Sequence, residues 1–291
     1  MQSLLRLAVC SIVLLFAASP LQAAALKALI LDGQNNHDWK TTTPILKKIL
    51  EDSGVFTVEV ATAPGKGGDM SGFKPNFPAY RVIVSNYNGE PWSKATQEAF
   101  AKYVRDGGGF VSVHAADNAF PEWKEYNEMI GLGGWGGRDQ KSGPYLRLRD
   151  AQWVRDASPG TGGHHGQQHI FVMDTRAPSH PIMAGLPAQW MHAKDELYDR
   201  LRGPAQNVTV LASAFSDPKT GGSNEHEPLL LVIPFGQGRV FHTALGHAPE
   251  AVKCVGFAVT LQRGAEWVAT GKVTQKVPAN FPMADNISRL P

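Results

Sequence analysis

The stretch Gly107–Phe120, GGGFVSVHAADNAF, is a glycine-led apolar run that ends in a turn, and at that turn stands His114. Its length and its apolar, β-branched content read as a strand buried on both faces, the kind found in parallel sheets. Enzymes with α/β folds commonly place a reactive side chain at such a strand end. Upstream, Ser93–Gly109, SKATQEAFAKYVRDGGG, reads as a helix capped by Ser93 and stopped by glycines. The pair makes a helix-to-strand unit, and the rest of the amino-terminal half repeats it. Leu26–Gly33, LKALILDG, is a second fully apolar run and the expected first strand. Thr41–Gly54, TTTPILKKILEDSG, follows as a helix with a threonine cap, Pro44 in its first turn and Gly54 as its stop. FTVEVATAP and YRVIVSNY supply the next strands. Alternation of strands and helices predicts an α/β fold with a mostly parallel central sheet, whose ligands gather beyond the carboxyl ends of the strands.

From Gly131 to about Gly166 the pattern lapses into glycine-rich loops around one expected strand, YLRLRDAQWV. Further strands are expected at HIFVMD, WMHAKDELYDRL, VTVLASAF and within EPLLLVIPFGQGRVFHTAL, which turns at Gly-Gln-Gly. Pro249–Gly271 reads as one closing amphipathic helix, with Cys254 packed inside it.

At the other end, Arg6, the apolar LAVCSIVLLFAA and the small-residue LQAAA have the pattern of a secretory signal peptide, cleaved near Ala23 or Ala24. The apolar run is shorter than the roughly 20 residues of a membrane span, so no integral membrane segment is expected after cleavage. Residues 1–24 are thus read as signal, 25–271 as one domain and 272–291 as a tail, in a protein exported to the periplasm. About 267 residues remain, a length that one α/β domain fills. With Cys254 the only cysteine left, stability rests on the core, to which 43% hydrophobic residues contribute. A formal net charge of +2 gives no reason to expect nucleic acid or an anionic membrane as partner.

Four polar clusters fall at strand ends: His37 with Asp38, His114 with Asp117, Asp195 with Glu196, and His242 with His247. Strand ends on one edge lie a few spacings of about 4.8 Å apart, so these side chains can converge. Three imidazoles and a carboxylate then make a metal site with an open position, or an acid–base site. The plain alternatives are a solvated loop for His37, an exposed strand charge for Glu196 and a wet hairpin end for His242 and His247. His164, His165 and His169 lie in a glycine-rich loop and are read as solvated or substrate-facing. No G-x-S-x-G elbow and no dinucleotide fingerprint is present.

LILDGQNNHDW, GGFVSVHAADNAF, HPIMAGLP, DELYDRL and GRVFHTALGH, in that order, resemble the ThuA-like (trehalose utilisation) family over about Leu26 to Gly271. The resemblance implies the fold of class I glutamine amidotransferases, a flavodoxin-like three-layer sandwich. It also matches His37, His114, Glu196 and His247 to family positions. Amidotransferase relatives carry a cysteine where this chain has His114, so glutamine hydrolysis through a thioester is not expected. The resemblance further implies a carbohydrate partner, a disaccharide or a keto-sugar derivative. The expected chemistry has His37, His114 and His247 holding a divalent ion, zinc by default, that polarises a sugar oxygen. Glu196 or Asp117 removes the neighbouring proton, for isomerisation, elimination or hydrolysis. Trp39, Tyr87, Trp135, His192 and Tyr198 are the expected sugar contacts, Trp135 as a movable cover. A non-catalytic carbohydrate- or metal-binding protein and a metal-dependent amide or ester hydrolase are the alternatives, and an oligomer is possible.

Overall fold

The structure is a computed structural model describing residues 24–291, so the expected signal peptide lies outside the described residues, Ala24 apart. The elements in order are β1 (Leu26–Asp32), α1 (Trp39–Asp52), β2 (Phe56–Thr62), β3 (Val82–Ser85), α2 (Lys94–Arg105), β4 (Gly109–Val113) and α3 (Lys124–Ile130). There follow β5 (Tyr145–Arg149), β6 (Gln152–Asp156), β7 (His164–His165), β8 (His169–Thr175), β9 (Gln189–Asp195), β10 (Tyr198–Asp199) and β11 (Thr209–Phe215). β12 (His226–Phe235), β13 (Gly238–Thr243), α4 (Pro249–Val252) and α5 (Val255–Thr270) complete the chain.

Nine strands form one mixed sheet in the order β2-β1-β3-β4-β13-β12-β11-β8-β9. The β2-β1-β3-β4-β13 end is parallel, and every pairing from β13 to β9 is antiparallel. The expectation of a mostly parallel sheet therefore holds for one end only. The cause is local: Gly236 and Gln237 join β12 to β13 in a hairpin, Gly236 at φ +60, and a two-residue turn can return a strand only antiparallel. β3 and β4 are buried at every residue, as their unbroken apolar runs require, whereas the edge strand β2 alternates.

Local readings shift in four places. Asp38, not a threonine, caps α1, its carboxylate accepting from the Thr41 amide, so the helix begins at Trp39. YLRLRDAQWV is a hairpin, β5–β6, turning through Asp150 and Ala151 at φ +48 and +62. WMHAKDELYDRL divides into β9 and the two-residue β10. The closing helix breaks at Cys254, whose extended backbone (ψ 127) makes it the N-cap of α5 instead of an interior residue. Past α5 the tail folds back, placing Phe281 against Trp190 and pairing the Met191 amide with the Met283 carbonyl.

Candidate metal centre

β4 delivers the chain to His114 in a left-handed conformation, φ +46, which a non-glycine residue adopts only under local constraint. Its Nδ1–H donates to the Ala244 carbonyl at 2.8 Å, which fixes the tautomer and turns the Nε2 lone pair inward. That Nε2 faces Glu196 Oε2 at 3.5 Å. The loop after β13 adds His247, with Nδ1 at 3.1 Å from the same oxygen, and the loop after β1 adds His37, with Nε2 at 4.0 Å. His114 Nε2 and His247 Nδ1 are buried and make no hydrogen bond. One ligand atom from each of His37, His114, Glu196 and His247 lies within 4.8 Å of the others, a group that can hold a metal ion. With zinc–nitrogen and zinc–oxygen arms near 2.1 Å, a tetrahedron has edges of about 3.4 Å. The observed 3.1, 3.5 and 4.0 Å separations bracket that value.

Electrostatics agree with the donor set. Burial, with His114 and His247 beside it, lowers the His37 pKa to about 4, so its ring is neutral at pH 7 with a lone pair to give. Burial would raise Glu196, but His114 and His247 hold its carboxyl far below the usual range. Burial opposes charge on His114 as well, and the Glu196 carboxylate, Asp195 and the Ala244 carbonyl outweigh it and raise that pKa. A ring whose remaining nitrogen points at a carboxylate needs a proton or a cation between them.

Asp195 holds two of these groups in place. Its Oδ1 accepts from the amides of Glu196 (2.9 Å) and His247 (3.0 Å). Its Oδ2 accepts from the Gly246 amide (2.8 Å) and His192 Nε2 (2.8 Å). One buried carboxylate therefore ties the end of β9 to the loop after β13. Burial opposes the His192 charge, yet Cys254 and Asp195 push its pKa up to about 9, while burial of Cys254 is outweighed by His192, which brings that thiol to about 7.

The expected site residues divide by place. His37, His114, Glu196 and His247 meet, with Glu196 in the donor set and no longer a free base. Asp117 does not join them: it is buried, and its Oδ2 accepts from His242 Nε2 at 3.1 Å, while His242 Nδ1 bonds the Ile130 carbonyl. Both ring nitrogens of His242 are thereby engaged. Tyr198 roofs the cluster, its ring 4.2 Å from that of His114 and its hydroxyl 3.2 Å from His37 Nε2. Trp135 (φ +49) packs on Tyr198 at 4.6 Å. Its loop is tied down by the buried Arg138, which donates to the carbonyls of Asn118, Ala119 and Gly134, and Trp135 stands in this structure as a wall beside the cluster. Tyr87 is wholly buried in an aromatic cluster with Trp92 and Phe120, its hydroxyl on the Glu90 carbonyl, and His192 is wholly buried behind Asp195. Neither side chain is exposed. Trp39 lines a neighbouring pocket.

Sequence reasoning read His165 as solvated or substrate-facing and did not single out Gln168. The loop that carries them has fixed geometry, because β7 pairs with β10 and sets His165 opposite Tyr198. His165 Nδ1–H donates to the Gly166 carbonyl, and its Nε2 lies 3.6 Å from Glu196 Oε1. Gln168 Nε2 donates to that oxygen at 3.3 Å and lies 3.0 Å from His247 Nε2. His164 is turned the other way, onto Asp199 at 2.8 Å, and His169 bonds the Gln167 carbonyl. Nothing periodic in a two-residue strand marks these positions.

The family model for ThuA, described as trehalose utilisation, matches residues 27–268. A ThuA-like protein from Parabacteroides merdae is similar in structure at TM-score 0.90 and 49% identity, over 92% of this chain and 98% of that one. A second ThuA-like protein, from Bacteroides uniformis, has TM-score 0.60 at 21% identity over 89% and 97%, a likeness of fold alone. No curated protein matches. The family match spans the sheet and all four donors of the cluster, and the chain belongs to the ThuA (trehalose utilisation) family.

Proposed function

We propose that this protein is a periplasmic, metal-dependent carbohydrate-processing enzyme in which His37, His114, Glu196 and His247 hold a divalent cation, zinc first, and that its substrate is a disaccharide or keto-sugar derivative. The observation that carries the proposal is a pair of buried imidazole nitrogens, on His114 and His247, that face one carboxylate oxygen and make no hydrogen bond. Leaving such groups unpartnered costs about 1–3 kcal/mol each, a cost that a proton shared with Glu196 or a cation removes, and a cation satisfies both rings and the carboxylate at once. A bound divalent ion supplies Lewis acidity, polarising a carbonyl or hydroxyl oxygen of the sugar.

The chain's own residues do the rest. Glu196, committed to the cluster and held far below the usual carboxyl range, is a weak proton acceptor. His165 takes over that role: its Nδ1–H is fixed by Gly166, leaving Nε2 free to accept a proton beside a sugar carbonyl. Tyr198 and Trp135 wall the site and restrict water. Isomerisation, elimination and hydrolysis all begin from this arrangement. Support for the three-layer, class I glutamine amidotransferase-like form of the fold comes from the β2-β1-β3-β4 order, with α1, α4 and α5 packed together and α2 and α3 against β13. The thioester chemistry of that class has no counterpart here, since Cys254 is buried at the start of α5.

Elemental analysis of mature protein purified without a His-tag or chelator tests the reading, beside His114→Ala. Near-stoichiometric metal in the first and its loss in the second are expected. Metal in neither, even after incubation with zinc, manganese and nickel, refutes it.

A further inference from the structure

A pocket of about 550 Å³ opens beside the loop that carries His37, lined among others by Asn35, Asn36, Trp39, Lys66, Asn88 and Glu90. Its volume falls within the roughly 300–1,000 Å³ of small-molecule sites. One wall touches the cluster itself: Asn36 Nδ2 is 3.2 Å from His37 Nε2, and Asn88 Nδ2 donates to Asn36 Oδ1 at 2.7 Å. The Tyr198 hydroxyl reaches the same His37 nitrogen at 3.2 Å. Two donors thus converge on one atom, and a neutral imidazole nitrogen has a single lone pair.

We propose that this pocket is a subsite for a neutral sugar ring, and that Asn36 becomes its hydrogen-bond donor once the His37 lone pair is committed to a cation. The proposal rests on the cation reading above and adds where the sugar sits and in what order it binds. With His37 Nε2 taken, the Asn36 amide loses its acceptor, and a sugar hydroxyl, both donor and acceptor, replaces it. Asn88 Oδ1, which accepts no hydrogen bond among the described residues, takes a proton from a second hydroxyl. The Trp39 ring offers the flat apolar face that a pyranose packs on. Lys66 and Glu90 bring opposite charges to the rim, which favours an uncharged polyol over a sugar phosphate. Binding is therefore ordered, cation before sugar, and the two affinities are linked.

The test is calorimetric titration of trehalose into the full mature chain, metal-free and with one equivalent of zinc, with zinc affinity measured separately by chelator competition. Trehalose binding at least tenfold tighter with zinc is expected. Asn88→Ala, which touches none of the four donors directly, weakens trehalose by about three- to tenfold and leaves zinc affinity unchanged. Asn36→Ala weakens trehalose while zinc binds as tightly or more so, because a competitor for His37 is gone; Trp39→Ala gives an independent check of the platform. Equal trehalose affinity with and without zinc, no binding to the zinc-loaded chain, wild-type trehalose affinity in Asn88→Ala, or tighter binding of glucose 1-phosphate overturns the subsite while the cation reading stands. Failure to take up zinc overturns the cation reading instead, and is seen in the separate zinc measurement.

Discussion

Replacing Asp195 by Asn keeps the shape of the side chain and reverses half its hydrogen bonding. The carboxylate accepts four hydrogen bonds, two on each oxygen, from Glu196, His247, Gly246 and His192. The amide has one acceptor oxygen, and its NH2 must face two N–H groups. Two charge-assisted bonds are lost, at about 1.5–3 kcal/mol each, so the unfolding free energy of the metal-free protein should fall by about 3–6 kcal/mol. That is a large part of the roughly 5–15 kcal/mol typical of a domain. If Asp195 also sets the geometry of Glu196 and His247, zinc affinity of the folded variant falls by about 10–100-fold, the usual effect of losing a group that orients metal ligands. Urea unfolding measures the first quantity and chelator competition the second. Glu227→Gln is the control: Glu227 is buried and accepts from Arg147 (2.8 Å) and Ser223 (2.7 Å), but it is not part of the donor cluster. It should lower stability and leave zinc affinity alone. Wild-type zinc affinity in Asp195→Asn, or an equal loss in Glu227→Gln, would refute the positioning role.

The pH dependence follows from His37, whose folded pKa is lowered to about 4 against an ordinary 6.5. Between those values the unfolded chain takes up a proton that the folded one does not, so this residue's contribution is lost as pH falls from about 6.5 to about 4. Metal-free wild type should lose more stability than His37→Gln over that window in paired urea titrations; parallel losses would contradict it. Cys254 has a thiol lowered to about 7 yet is wholly buried, so a disulfide reagent should label it only in denaturant, and rapid labelling of the native protein at pH 8 would show the burial to be wrong. A Cβ at Gly264 would sit 2.2 Å from the Phe241 ring, where α5 lies on β13, so Gly264→Ala should cost about 1–3 kcal/mol in urea unfolding, and an unchanged midpoint would deny that packing.

What the sequence disclosed followed the physics of burial. β1, β3 and β4 are buried nearly throughout, which leaves contiguous apolar runs, and the turn after β4 placed His114 correctly at a strand end. The β5–β6 turn was hidden because Asp150 and Ala151 take left-handed angles without a glycine or asparagine to announce them. The break between α4 and α5 has neither proline nor glycine; it comes from tertiary pairing of Cys254 with Arg289 in the tail. In the site, residue types at strand ends singled out His37, His114 and His247 as ligands and Glu196 as a base, and only the folded geometry puts Glu196 among the donors. Roles depended on partners distant in sequence: Asp117 is claimed by His242, 125 positions away, and only the paired β7 and β10 bring His165 to Glu196.

The returning tail has a bearing on solubility. β9 is the last strand of the sheet, and an uncovered edge strand is a template for pairing with another molecule. Residues 281–283 occupy part of that edge, spending an outward amide of β9 on Met283 and shielding Trp190 with Phe281. A carboxyl-terminal fusion that draws this segment away would bare both at once. Its expected symptom is self-association through β9, in a molecule whose histidine cluster is still intact.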